Sequence, residues 1–507
     1  MSRTENSIKN IKYSISGQII ALISNFITRT VFIKILSAEY LGLSGLFSNI
    51  LSILSLAELG IGSAIVYSMY KPLARNDRYK LKALMDLYKR AYIFIGLSIL
   101  VVGTAITPFL EFFIKDMPNI PAVKFYYLLY VINAGLSYFF SYKRSILIAD
   151  QKKYIDSSYH YLFLCLRNVL QIFILIFTKN FLLYLLIQVL ETLTENIVIS
   201  KRVDNIYPFI KVKDKIRLDD EDKKIIVKNT KAMILHKIGS IIVYGTDNIL
   251  ISKFVGIIEV GLYSNYLLII NILNQLYEII FQSVTASIGN LAATEDNDKN
   301  VFIFNCINFF GYWLYAFSSI CLINLINPFI RLWAGREYLF SMQTVLIIVI
   351  NFYLSGMRKS VLTFRDALGL FWYDRYKPLL ESVINLVVSI MLGKYYGITG
   401  ILLGTMVSTL STCFWIEPYV LYKYGFHNSI YNYFKKYLKY TIVMIFAGVI
   451  TWFASSIFAS YSIVGFIGKA IICAVVPNII FLIIYYRTKE FRYLFDKIRP
   501  IIFKQIK

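Results

Sequence analysis

Apolar stretches of 18 residues or more recur from end to end of the 507-residue chain. A run of that length without charge matches the hydrocarbon core of a bilayer when coiled as an α-helix. The pattern predicts fourteen spans: 13–36, 41–69, 88–112, 123–147, 156–177, 180–200, 229–252, 259–288, 300–327, 338–362, 372–393, 398–422, 436–457 and 463–486. Turn and breaker residues separate them, as at Lys71-Pro72, Met117-Pro118-Asn119, Asn327-Pro328 and Gly425. Spans so closely spaced leave no room for a soluble domain. The expected fold class is an all-α integral membrane protein.

The longest polar stretch, 201–228, leaves six spans before it and eight after. Its mixture of basic and acidic residues reads as a solvated strap, not a lipid-binding patch. The pentapeptide Gly45-Leu46-Phe47-Ser48-Asn49 resembles Gly261-Leu262-Tyr263-Ser264-Asn265, and spans 1 and 7 begin at the same separation. This predicts two homologous bundles in parallel orientation. The expected organisation is a bundle over 1–200, a linker over 201–228, a second bundle over 229–422, and two further helices with a tail over 423–507. Transporters built from such repeats place the substrate path between them.

Composition agrees with the pattern. Hydrophobic residues make up 57% and charged residues 16% of the chain, against about 25% charge in soluble domains. The 53 Lys and Arg exceed the 30 Asp and Glu, a net charge of +23. In a soluble protein that excess would point to nucleic acid. Here the bilayer explains it, because cytoplasmic loops collect Lys and Arg. With a cytoplasmic N-terminus the cytoplasmic side holds roughly five basic residues for each one outside. An even number of spans then leaves both termini in the cytoplasm. The polar N-terminus carries no cleavage motif, so the first span is expected to be retained. The five cysteines, at 165, 306, 321, 413 and 473, all fall in apolar segments. They read as core residues, with no metal or redox role.

Charged and polar residues inside the spans form single stripes. Gln18, Asn25 and Arg29 share a face of span 1; His160, Arg167 and Gln171 share one of span 5. Span 7 has Lys237, Ser240, Tyr244 and Asp247; span 6 has Gln188, Glu191 and Glu195. Span 8 carries Asn271, Gln275, Glu278 and Gln282, and span 2 carries Ser55 and Glu58. Buried charge in a bilayer is expensive and faces a cavity or a partner. The stripes predict a shared, wet interior. Arg29, Arg167 and Lys237 are the candidate ligands of an anionic group. Glu58, Glu191, Asp247 and Glu278 are candidates for ion coupling, by H+ or Na+, or for plain ion pairing with those cations. His160, at a span end, reads as an interfacial histidine. Arg358 and Arg365, in a basic segment between spans 10 and 11, are candidate contacts for a cytoplasmic headgroup, although positive-charge retention alone would place them there.

No nucleotide-binding GxxxxGK[ST], no HExxH and no GxSxG is present, and the outer loops are short. No catalytic residue and no cofactor is expected, and the chain reads as a non-enzyme. Two runs carry a family likeness: Glu39 to Asn49, with Gly42 and Gly45, and Leu56-Ala57-Glu58-Leu59-Gly60-Ile61-Gly62. Thr246-Asp247-Asn248, Asp374-Arg375-Tyr376-Lys377-Pro378, Gly397-Ile398-Thr399-Gly400 and Gly404-Thr405 add to it. Together and in order they resemble bacterial polysaccharide repeat-unit flippases, those of O-antigen and capsule, in the multidrug/oligosaccharidyl-lipid/polysaccharide exporter superfamily.

The resemblance implies two six-helix bundles in a V, as in MATE transporters, plus two C-terminal helices. It implies alternating access in the bacterial cytoplasmic membrane. The implied substrate is an undecaprenyl-diphosphate oligosaccharide, with a polysaccharide polymerase and glycosyltransferases as partners. Related lipid II flippases place a first-helix arginine in a central cationic cavity. Arg29 matches that position, and Thr30 stands where those relatives carry an acid. The alternatives are a MATE-type drug or small-cation exporter and a membrane subunit of a polysaccharide synthesis complex.

Overall fold

The structure, a computed structural model, describes residues 3–58, 61–212, 218, 245–458 and 462–504. Among the described residues every regular element is a helix. Ten helices among the described residues are long and apolar enough to cross a membrane. Their large apolar side chains point outward as often as inward: Phe177 is 76% exposed, Ile457 80% and Val464 78%. Water would not tolerate so many; a bilayer does, because lipid tails are as apolar as the side chains. The chain is an all-α integral membrane protein.

Two compact units divide it, Met1–Gly261 and Leu262–Lys507. In the first, α1 (Arg3–Ile35) packs along α6 (Lys153–Thr178), and α4 (Arg78–Ile106) along α5 (Val123–Ser141). The remaining long helices are α2 (Ala38–Leu54), α3 (Ile61–Ala74) and α7 (Phe181–Ile206). Side-chain caps fix two starts: Asp77 accepts from the Lys80 amide at 2.9 Å and Asn180 from the Leu183 amide at 3.2 Å. The expected span 41–69 is not one helix. It breaks into α2, a 3-10 turn over Ser55–Glu58, and α3. Ser52 and Ser55 donate to the carbonyls of Ser48 and Ser52, a local competition that bends helices. The break presents Glu58 at a corner of the bundle.

The unit boundary falls beyond the polar stretch 201–228, where sequence placed it. The reason is packing. Helix α8 (Asp247–Phe254) lies on α2, and the start of α9 (Ile257–Thr294) comes within backbone contact of α2 at its glycines. A Cβ on Gly42 would overlap the Ile257 carbonyl oxygen, and one on Gly261 the Ala38 carbonyl oxygen. Gly42 and Gly261 thus meet at one crossing.

The second unit contains α10 (Asn297–Trp333), α11 (Met342–Ala367), α12 (Lys377–Ser411), α13 (Tyr431–Ser456), α14 (Ile463–Tyr485) and α15 (Lys489–Lys504). Helix α12 is really two. At Gly397 the backbone turns, with φ 57 and ψ −137, a conformation open to glycine alone. The halves fold back on each other: Asn385 bonds Thr405 at 3.0 Å and Ser389 the Ile401 carbonyl at 3.0 Å. The 49-residue apolar stretch Lys377–Gly425 therefore holds the expected span 398–422 and all but the first five residues of 372–393. Helix α15 is held by Lys436, which bonds Glu490 at 2.7 Å. Burial raises the Glu490 carboxyl's pKa, but that bond and the Lys436 charge bring it below its ordinary value.

Candidate functional site

The first unit carries an open cavity of about 870 Å3. Seven helical elements line it, α3 with Gly62, Val66 and Tyr70 among them. Helix α6 presents Asp156, His160 and Arg167, at i, i+4 and i+11 on one face. Helix α7 presents Glu191 and Glu195, one turn apart and both buried. Helix α4 presents Tyr88 and Tyr92, and α5 Tyr138. The 3-10 turn brings Glu58, and a short helix, Arg144–Ala149, brings Arg144.

The charges are interlocked. Arg144 donates to Glu195 at 2.8 Å and to the Asn196 side chain at 2.8 Å, and pairs with Asp156 at 3.3 Å. His160 Nδ1 lies 3.2 Å from the same Glu195 oxygen. Arg167 reaches Glu191 at a loose 3.5 Å. On the far wall Tyr92 donates to Glu58 at 2.7 Å, and Tyr88 donates to Tyr92 at 2.9 Å. The buried Nε atoms of both Arg144 and Arg167 have no hydrogen-bond partner among the described residues. Each guanidinium therefore keeps a donor in reserve where a lone unsatisfied donor is costly.

Of the residues expected from sequence, Glu58, Arg167 and Glu191 come together here. Arg29 does not line this cavity; it stands near the hydroxyls of Tyr130 and Tyr184, and Arg167 also acts on Tyr184. The rest of the span 1 stripe faces α6, where Gln18 accepts from Tyr161 at 3.0 Å and Asn25 from Asn168 at 2.8 Å. Lys237 lies outside the described residues. Asp247 opens α8 in its first turn. Glu278 belongs to the second unit and pairs with Lys359 and, at 3.1 Å, with Gln282.

Arg358 and Arg365 are not on a loop surface. Both lie within α11, and both are engaged. Arg358 meets Glu417 through two bonds, at 2.9 and 2.7 Å, and Glu381 at 3.6 Å. Arg365 meets Asp374 at 2.5 Å and Asp366 at 2.8 Å. Carboxylates fill both forks, with Arg365 buried and Arg358 half-buried.

Sequence reasoning missed Arg144 and the tyrosine wall, and did not single out Asp156, the first residue of the expected span 156–177. Asp156 could have been found, since it extends the α6 stripe by one turn. Arg144 stands at a span end, where a basic residue signals only topology. Nothing singles out Tyr88, Tyr92 or Tyr138 among 40 tyrosines.

No protein-family model matches the chain, and no curated protein sequence matches it. Solved structures share its fold. The lipid II flippase MurJ, in an inward closed conformation, superposes with a TM-score of 0.62 at 14% identity, over 94% of this chain and 99% of that one. An inward-facing multidrug resistance MATE family transporter of the MOP superfamily gives 0.56 at 14% identity, over 79% and 94%. The Vibrio cholerae MATE transporter VcmN gives 0.57 at 13% identity, over 85% and 99%. The fold is thus shared with MurJ over 94% of the chain and with the MATE transporters over 79–85% of it. At such identities the likeness is one of fold.

Proposed function

We propose that the chain is a flippase. It moves an undecaprenyl-diphosphate-linked oligosaccharide repeat unit from the inner to the outer leaflet of the bacterial cytoplasmic membrane, by alternating access, for a surface polysaccharide. The observation that carries this is the charged cavity among membrane helices, with reserve donors on Arg144 and Arg167. A diphosphate needs planar donors in a wet chamber, while its polyprenyl tail stays in lipid. The 3.5 Å pair of Arg167 with Glu191 is loose enough for a diphosphate to displace the carboxylate. Released Glu191 then takes a proton or a Na+ ion, which ties substrate entry to ion movement. Arg29, beside Tyr184, extends the cationic path from Arg167. A polymerase and glycosyltransferases would consume and supply the repeat unit.

One observation favours a second reading, export of a drug or small cation. The cavity holds four carboxylates, Glu58, Asp156, Glu191 and Glu195, against two arginines and one histidine. Reconstituted vesicles separate the two. Wild type should expose a fluorescent undecaprenyl-diphosphate oligosaccharide on the opposite leaflet, and Arg167→Ala should slow this at least tenfold, by loss of charge-assisted bonds of about 1.5–3 kcal/mol. Vesicles that extrude ethidium but leave the lipid in place would establish the cation exporter instead.

A further inference from the structure

A second cleft in the first unit, of about 570 Å3, has a different character. It shares no lining residue with the central cavity. Helix α4 separates them by its own period: Tyr88 and Tyr92 face one, Lys82, Asp86, Lys89 and Arg90 the other. Neighbouring residues at the end of α5 do the same, Lys143 entering this cleft and Arg144 the central cavity. The turn Pro208–Lys211 closes the side with Lys211.

Five basic side chains face two carboxylates here. Asp86 holds Lys82 at 2.5 Å and Asp204 holds Lys143 at 2.7 Å, so both lysines are drawn inward and fixed. Lys89, Arg90 and Lys211 make no ion pair among the described residues. Charge retention on one membrane face asks only that cations be present. It does not ask that three unpaired ones converge on a walled cleft, beside two more held in place by carboxylates.

We propose that this cleft is a separate anion site, which binds a phosphate-bearing group of two or more negative charges through Lys89, Arg90 and Lys211. Arg90 offers a planar fork to the phosphate oxygens and the lysines add point charges. Ile93, Ile210 and Val212 give an apolar wall for the carbon skeleton next to the phosphate. The volume lies in the range of small-ligand sites, about 300–1,000 Å3. A soluble phosphate and a lipid headgroup share this chemistry.

The full-length protein, purified in uncharged detergent, would be titrated calorimetrically with inorganic pyrophosphate. In parallel its melting would be followed in phosphatidylcholine nanodiscs with and without phosphatidic acid. Pyrophosphate binding that weakens at least tenfold in the triple variant Lys89→Gln, Arg90→Gln, Lys211→Gln supports the site with a soluble ligand. Stabilisation by phosphatidic acid alone, lost in the same variant, supports it with a lipid headgroup. Asp204→Asn removes a negative charge and frees Lys143, so it should tighten whichever probe binds by severalfold. That variant decides the matter if the triple variant does not fold. Failure of both probes to bind wild type overturns the proposal, as does equal binding to all variants. Transport lost in Arg167→Ala would be untouched by that failure, since Arg167 is not in this cleft.

Discussion

Glu417 has none of its surface exposed, and it accepts from Arg358 through two guanidinium nitrogens and from Lys377. Asp374, its side chain equally buried, accepts from one guanidinium nitrogen of Arg365, whose other two nitrogens go to Asp366. Glu417 is the member that cannot be spared, because its removal leaves Lys377 and Arg358 without the counter-charge they share. Breaking such a pair from one side costs about 3–5 kcal/mol, while replacing the whole group by apolar residues can be neutral. Glu417→Gln should therefore lower the unfolding free energy in micelles by about 3 kcal/mol or more, and adding Lys377→Met should restore part of it. A loss below about 1 kcal/mol would show that Glu381, 3.6 Å from Arg358, takes over the charge. Sequence could see that Arg358 and Arg365 stood in a basic segment. It could not see that Glu417, 59 residues away from Arg358 in sequence, fills the fork. Ion pairing is a tertiary fact and leaves no periodic trace.

Among the helices, length and hydropathy were legible, and local backbone was not. A bilayer demands length and apolarity, and both are one-dimensional properties of sequence. The split at Ser55–Glu58 and the turn at Gly397 depend on single residues inside otherwise apolar runs. The expected gap between spans 11 and 12 is only four residues, 394–397, and Gly397 is what makes it sufficient. An L-residue there would adopt a backbone that costs about 1–3 kcal/mol. Gly397→Ala should lower the melting temperature and reduce transport, and Thr399→Ala, beside it, should do so far less. Melting of the two variants in detergent checks this. An unchanged Gly397→Ala would mean that the hairpin closes at another residue.

For the molecule as a whole, the fold likeness says nothing about which face lies in the cytoplasm. That inference rests on the excess of basic residues, 53 against 30 acidic, and on their uneven division between loops. It also decides what each cavity can meet. The cationic cleft opens at the ends of α4, α5 and α7, the side assigned to the cytoplasm, where phosphate-bearing precursors are made. Asn119, in the α4–α5 connection, and Ser429, just before α13, are both exposed and lie on opposite faces in this topology. The five natural cysteines are buried or half-buried, so a variant with serines in their place keeps the fold and gives a silent background. Intact cells expressing Asn119→Cys in that background should react with a membrane-impermeant maleimide. Ser429→Cys should react only after the cells are opened. The reverse pattern would invert the protein. The cleft would then face outward, and the proposed direction of flipping would have to be reversed with it.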